Sequence, residues 1–235
     1  MTDELIPVIT LDGPGGSGKG TIGWHLARHL GWHFLDSGSL YRLVGLAALN
    51  RNIGFEEESR LADLARNLDV VFREDGGPGS LCVIFLDGEA VTDQIRHEEI
   101  GQAASKVATI QSVRDALLER QRAFRMAPGL VSDGRDMGTV IFPDAALKIY
   151  LTASAEERAK RRLKQLQGKG IDASLATILS EIQQRDDRDM NRPIAPLKPA
   201  EDAIIIDTTE LSVTEVEAQI LSLVEQKVPL EQSEL

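Results

Sequence analysis

The sequence predicts an α/β fold: a doubly wound, five-stranded parallel sheet with helices on both faces and a small antiparallel lobe inserted in it. Three observations carry that expectation. Five short apolar runs recur along the chain, most of them followed by a segment of helical periodicity. The first run leads directly into a glycine-rich loop and a helix. The region between 68 and 91 breaks the rhythm with strand-like runs separated by turn residues.

The apolar runs are Val8–Leu11, His33–Leu35, Leu130–Ser132, Leu147–Leu151 and Ala203–Ile206. They read as strands buried on both faces, as parallel strands under helices must be. Helical periodicity follows over Gly20–Leu30, Leu40–Leu49, Ala155–Gln167 and Thr214–Val224. In such a sheet a ligand sits at the C-terminal strand ends. Those ends carry Asp12-Gly13, Asp36-Ser37-Gly38, Asp133-Gly-Arg-Asp136 and Thr152 to Ser154. The irregular region reads as a meander, Leu68–Phe72, Leu81–Leu86 and Glu89–Val91, turned at Asp75-Gly-Gly-Pro-Gly79 and Asp87-Gly88. A single helical segment, Gly101–Phe124, is expected to lead back to the third core strand. The expected organisation is one domain over 1–235. Its core spans 1–38, 106–154 and 171–225, with an insert over 39–105, a short lid over 155–170 and a disordered tail over 226–235.

Composition narrows the function. With 37 acidic against 26 basic residues the formal net charge is −11, which argues against a polynucleotide partner. An anionic substrate must then be attracted by local arginine clusters rather than by the overall field. Cys82 is the only cysteine, so there is no intramolecular disulfide and no cysteine-based metal site. Lying in an apolar strand with no basic neighbour, it is expected to be inert. The first residues lack the basic and apolar regions of a signal peptide, and no run is long enough to span a bilayer. A soluble, cytoplasmic monomer without a membrane partner is expected.

Gly13-Pro-Gly-Gly-Ser-Gly-Lys-Gly-Thr21 is a phosphate-binding loop. Glycines at 13, 15, 16 and 18 let the backbone curl so that successive N–H groups point inward at phosphate oxygens. The positive end of the following helix adds to the attraction, and Lys19 supplies a mobile ammonium for the β- and γ-phosphates. Gly13, Pro14, Gly15, Gly16, Ser17, Gly18, Lys19, Gly20 and Thr21 are therefore the candidate ATP-binding residues. The hydroxyl is displaced by one position, because Gly20 separates Lys19 from Thr21. That spelling is found in nucleoside monophosphate kinases and points to small-molecule phosphoryl transfer.

Two further clusters surround an anion in this reading. On a helix over Ile182–Arg192, residues Arg185, Arg188, Asp189 and Arg192 share one face, with Asp186 and Asp187 pointing elsewhere. Guanidinium forks fit phosphate oxygens. Pro193, Pro196 and Pro199 end the helix. The second cluster is Ser132-Asp-Gly-Arg-Asp-Met-Gly138. Asp133 closes the third strand and is a candidate to organise magnesium through water. Asp136 is a candidate base reader, since a carboxylate accepts from the exocyclic amino group of cytosine. The basic stretch within Ala155–Gly170 suits a lid over the triphosphate.

The loop, then Leu35-Asp-Ser-Gly38 with Tyr41-Arg42, then Asp133-Gly-Arg-Asp-Met-Gly-Thr139, then Arg185-Asp-x-x-Asp-x-x-Arg192 resemble, in this order, the bacterial cytidylate kinases. The similarity runs from about Val8 to Thr208, and the meander resembles that family's monophosphate-binding insert. The resemblance implies transfer of the γ-phosphoryl of ATP to CMP or dCMP, with Mg2+, giving ADP and CDP or dCDP. It implies that Ser37, Arg42, Arg135 and Arg192 hold the monophosphate, and that Ser105, Arg114 and Asp136 surround the cytosine. Arg185 and Asp189 would meet the sugar. Arg158 would belong to a mobile lid and, with Lys19, Arg135 and Arg192, serve the transfer itself. Arg188 receives no role. The alternative is a kinase of the same loop class acting on another monophosphate, UMP or dTMP, or on a small acceptor such as shikimate. A regulatory GTPase is disfavoured, because Asn-Lys-x-Asp for guanine is absent from the sequence.

Overall fold

The computed structural model describes residues 5–73 and 83–228. In chain order the elements are β1 (Val8–Asp12), α1 (Lys19–Leu30), β2 (His33–Asp36), α2 (Ser37–Asn50), α3 (Glu58–Arg66), β3 (Val70–Arg73), β4 (Val83–Leu86) and β5 (Glu89–Ala90). There follow α4 (Glu98–Val107), α5 (Gln111–Arg122), β6 (Leu130–Gly134), β7 (Leu147–Thr152), α6 (Ala155–Gly168), α7 (Leu175–Asn191), β8 (Ile204–Asp207) and α8 (Val213–Lys227). Contacts divide the chain into two units. One comprises 5–36 and 121–228, the other Ser37–Arg120.

The first unit holds the parallel sheet, in the order β2-β6-β1-β7-β8. Every residue of β1 and β6 is buried, which is why their sequences are apolar without alternation. The register pairs Leu11 with Asp133 and Asp12 with Gly134, while Asp36 of β2 pairs with Asp133. Three acids thus reach the same edge of the sheet. Ile9, Leu11, Val131, Ile149 and Leu151 of the strands pack with Ile22 and Leu26 of α1 and with Val216, Ile220 and Val224 of α8. Gly31, left-handed at φ 66, ends α1, and a Ser212–Glu215 capping box starts α8. Strands β1, β2 and β7 run one residue further than the apolar runs suggest, and β6 runs two.

The second unit is built on α2 packed against α4, and holds the antiparallel sheet β3-β4-β5. Asp87 and Gly88 take positive φ of 50 and 82, the backbone that a tight hairpin between β4 and β5 demands. The turn expected over Asp75–Gly79 and the strand position of Cys82 lie outside the described residues.

Several expectations are corrected. The one helical segment over Gly101–Phe124 is two helices. Thr109 Oγ1 donates to the Lys106 carbonyl at 2.7 Å and so helps end α4. Helix α3 was not anticipated; its buried Leu61, Ala62, Leu64 and Ala65 form the inner face. The contacts place the second unit at Ser37–Arg120, wider than the insert expected over 39–105, because α2 begins at Ser37 immediately after β2. The tail expected from 226 is helical to Lys227, with Val228 buried; 229–235 lie outside the described residues.

Candidate active site

Geometry dictates the loop between β1 and α1. A Cβ on Gly13, whose φ is +145, would lie 2.0 Å from the Leu151 carbonyl oxygen, so only glycine fits. Gly18, left-handed at φ 99, starts α1. Ser17 Oγ donates to the Pro14 carbonyl at 3.0 Å, and Lys19 Nζ donates to the same oxygen at 2.8 Å. The ammonium is thereby held in the loop, 4.0 Å from Asp133 Oδ1.

Burial works on both members of this pair. It lowers the Lys19 pKa to about 7, helped by the Arg135 guanidinium and opposed by Asp133 and Asp12. It raises Asp133 to about 7 against the Lys19 charge, with Asp36 adding to the rise. A positive charge brought beside Asp133 would relieve this. Its donor set also suits magnesium, which takes one or two carboxylates and completes its octahedron with phosphate and water. Among the described residues no group of three or more His, Cys, Asp or Glu is arranged to hold a metal. Asp133 is the residue that would orient the ion, whose chemistry would be to neutralise phosphate charge.

The arginine cluster closes over the loop. Arg135 Nη2 stands 3.5 Å from where a Gly15 Cβ would be, and Arg185 Nη1 3.9 Å from the same point. Arg135 Nε donates to Asp189 Oδ2 at 3.0 Å, and Arg185 Nε lies 4.0 Å from that oxygen. Burial pushes the Asp189 carboxyl up, but Arg135 and Arg185 outweigh it and hold it below the ordinary aspartate value. For Arg135, burial disfavours the charge, and Asp189 and Asp133 overcome it. Arg192, which caps α7, places Nη2 3.5 Å from Asp136 Oδ1. Lys19, Asp133, Arg135, Asp136, Arg185, Asp189 and Arg192 thus belong to one unit. Arg188 is half-buried on the same helix.

Ser37, Arg42, Ser105 and Arg114 belong to the second unit. Arg42 Nη1 donates to the Ile95 carbonyl at 2.7 Å and its guanidinium crosses α4 at Gly101, one turn from the buried Ser105. Arg114 is buried, with its guanidinium 5.8 Å from the Tyr41 ring centroid.

Arg158, expected on a mobile lid, is only 4% exposed. Its guanidinium binds both oxygens of Asp186, at 3.0 and 2.5 Å, and donates to the Gly15 carbonyl at 3.1 Å. Asp186 was expected to face away from the arginines. It does leave that face, but turns toward α6 rather than solvent. Arg161, one turn on, donates to Thr208 Oγ1, which donates to the Ser17 carbonyl. Sequence reasoning gave no role to Asp186, Arg161 or Thr208; Asp186 stands inside the Arg185–Arg192 motif and Arg161 inside the basic stretch, but neither pattern names the partner that the fold brings.

A family model described as cytidylate kinase matches residues 9–226. The chain belongs to the cytidylate kinase family. Among relatives, the cytidylate kinase of Photobacterium profundum is 56% identical over 220 residues, 94% of this chain and 95% of that one. That of Shewanella baltica strain OS155 is 57% identical over 225 residues, 96% and 97% of the two chains. Among solved structures, a gluconokinase from Sinorhizobium meliloti 1021 is similar at 14% identity and a TM-score of 0.48, covering 94% of this chain and 93% of its own. The loop, the arginine cluster and Asp133 all fall within the span matched by the cytidylate kinase family model. Among the described residues no helix is long and apolar enough to cross a membrane.

Proposed function

We propose that the chain transfers the γ-phosphoryl of ATP to CMP or dCMP. The single observation that carries the reading is Arg135, bonded to Asp189 beside Lys19 and Asp133, with its guanidinium over Gly15 of the phosphate loop. It can touch the donor phosphates and an incoming acceptor phosphate at once. Full-length similarity to cytidylate kinases supports the acceptor.

The transfer needs little covalent chemistry. The acceptor is already a phosphate anion, so no strong base is required; the protein must align two anions and offset their repulsion. Lys19 and the loop N–H groups of Gly13 and of Gly15 to Thr21 hold the donor; Asp133 would hold Mg2+ through water, and the ion would neutralise phosphate charge. Arg135 and Arg192, joined by Ser37 and Arg42, hold the acceptor phosphate. Asp136, with Ser105 and Arg114, reads the cytosine, and Arg185 with Asp189 meets the sugar. Arg158 steadies the loop from the lid segment over 155–170, and its closure would exclude water. The protein works as a cytoplasmic monomer in this reading.

The test is a substrate panel: ATP with each ribo- and deoxyribonucleoside monophosphate, following ADP. CMP and dCMP should give the highest kcat/KM. A preference for UMP or dTMP would move the assignment to another monophosphate, and no acceptor-dependent ADP release would overturn it.

A further inference from the structure

We propose that Asp12 is a positioning residue for the acceptor side of the reaction, holding the turn after Arg135 and Asp136 by accepting one backbone N–H on each carboxylate oxygen. Asp12 ends β1 and is 4% exposed. Across the sheet edge, Met137–Ile141 forms a single wide helical turn. The first N–H groups of any helical turn need acceptors, normally from the side chain of the residue before it. Here that residue is Asp136, and its side chain makes no capping bond. Asp12 supplies the cap instead. Met137 N–H donates to Oδ1 and Gly138 N–H to Oδ2, both at 2.8 Å.

The turn is seated closely enough for this to be exacting. A Cβ on Gly138 would lie 2.9 Å from Thr10 Oγ1 and 3.1 Å from Lys148 Cδ. Both bonded N–H groups follow directly after Asp136, so they fix the backbone from which its carboxylate approaches Arg192. Capping by a remote residue leaves the Asp136 carboxylate to serve the site rather than the turn. No neutral side chain does the same. Asparagine keeps one accepting oxygen but sets an NH2 against the second N–H. The surroundings tune the group. Burial raises its pKa to about 6 and Asp136 adds to the rise, while the two N–H bonds and Lys19 lower it; Asp133 and Tyr150 also sense its charge.

This rests in part on the reading of Asp136 as the base-facing carboxylate, and the test separates the two. In Asp12→Asn the KM for CMP should rise about tenfold, the loss expected for a buried charged hydrogen bond, while the KM for ATP moves less than about threefold. The CMP to UMP ratio of kcat/KM should also fall, although Asp136 is untouched. In Asp12→Asn/Asp136→Asn the ratio should equal that of Asp136→Asn alone. If Asp136→Asn itself leaves the ratio unchanged, the base-reading role fails, and the CMP-specific KM change still decides the role of Asp12. Equal changes in both KM values, or none, overturn the proposal.

Discussion

Binding of ATP with magnesium at about pH 8 should draw a proton from solvent. Lys19 and Asp133 each have a pKa of about 7 in the free protein, 4.0 Å apart. Burial works against the charged form of both groups, so above neutrality the free pair tends to give up both protons and holds less than one. With a triphosphate against Lys19 and a cation beside Asp133, the lysine is protonated and the aspartate ionised, a total of about one proton. Binding there should take up a fraction of a proton per ATP. At about pH 6 the free pair holds more than one proton, and binding should release a fraction instead. The sign should therefore reverse near neutrality. Isothermal calorimetry measures this directly. Binding enthalpies taken in buffers of different ionisation enthalpy give a slope equal to the protons exchanged. Lys19→Met should remove the uptake at the higher pH. A slope near zero at both pH values, or an unchanged slope in Lys19→Met, would refute the argument that burial holds this pair half-titrated at neutrality.

Other outcomes follow from the geometry. Asp186→Ala strands the buried Arg158 guanidinium and should cost about 3 kcal/mol by denaturant unfolding, with a raised KM for ATP because Arg158 also holds the Gly15 carbonyl. Gly13→Ala should abolish nucleotide binding, since its Cβ meets the Leu151 carbonyl. Gly31→Ala, at φ 66 with nothing within 4 Å, should cost only about 1 kcal/mol in a thermal melt and leave ATP binding intact. Arg192→Ala should lower turnover with CMP and dCMP alike, whereas Asp189→Ala should penalise them unequally, by roughly the 1 kcal/mol of a hydrogen bond to the 2′-hydroxyl; steady-state kinetics with both acceptors separates the two.

The legible parts of this molecule share a physical origin. Strands β1, β6 and β7 lie deep in the sheet, so their apolar runs stand out in sequence. The phosphate loop is legible because several amides must converge on one anion, which forces glycines into adjacent positions. Strand ends were read short for the opposite reason. Asp12, Asp36 and Gly134 extend the ladders but are not apolar, so hydrophobicity stops one or two residues before the backbone pairing does.

The residues that position the site were illegible because their partners are remote. Asp186 serves Arg158, 28 positions away, and Asp12 serves Met137, 125 positions away. A helix's own charge pattern shows which residues share a face, and α7 does present Arg185 and Asp189 together. It does not show what lies against the adjoining face. The pattern therefore places Asp186 off the arginine face without naming its partner, the guanidinium that α6 brings to it. Burial then reverses the usual expectation for a charge run on a helix. An exposed pair would add little, but at 4% and 8% exposure Arg158 and Asp186 each depend on the other, and the phosphate loop hangs from the same guanidinium. The chemistry is written in contiguous motifs; its alignment depends on single carboxylates that only the folded chain brings to their donors.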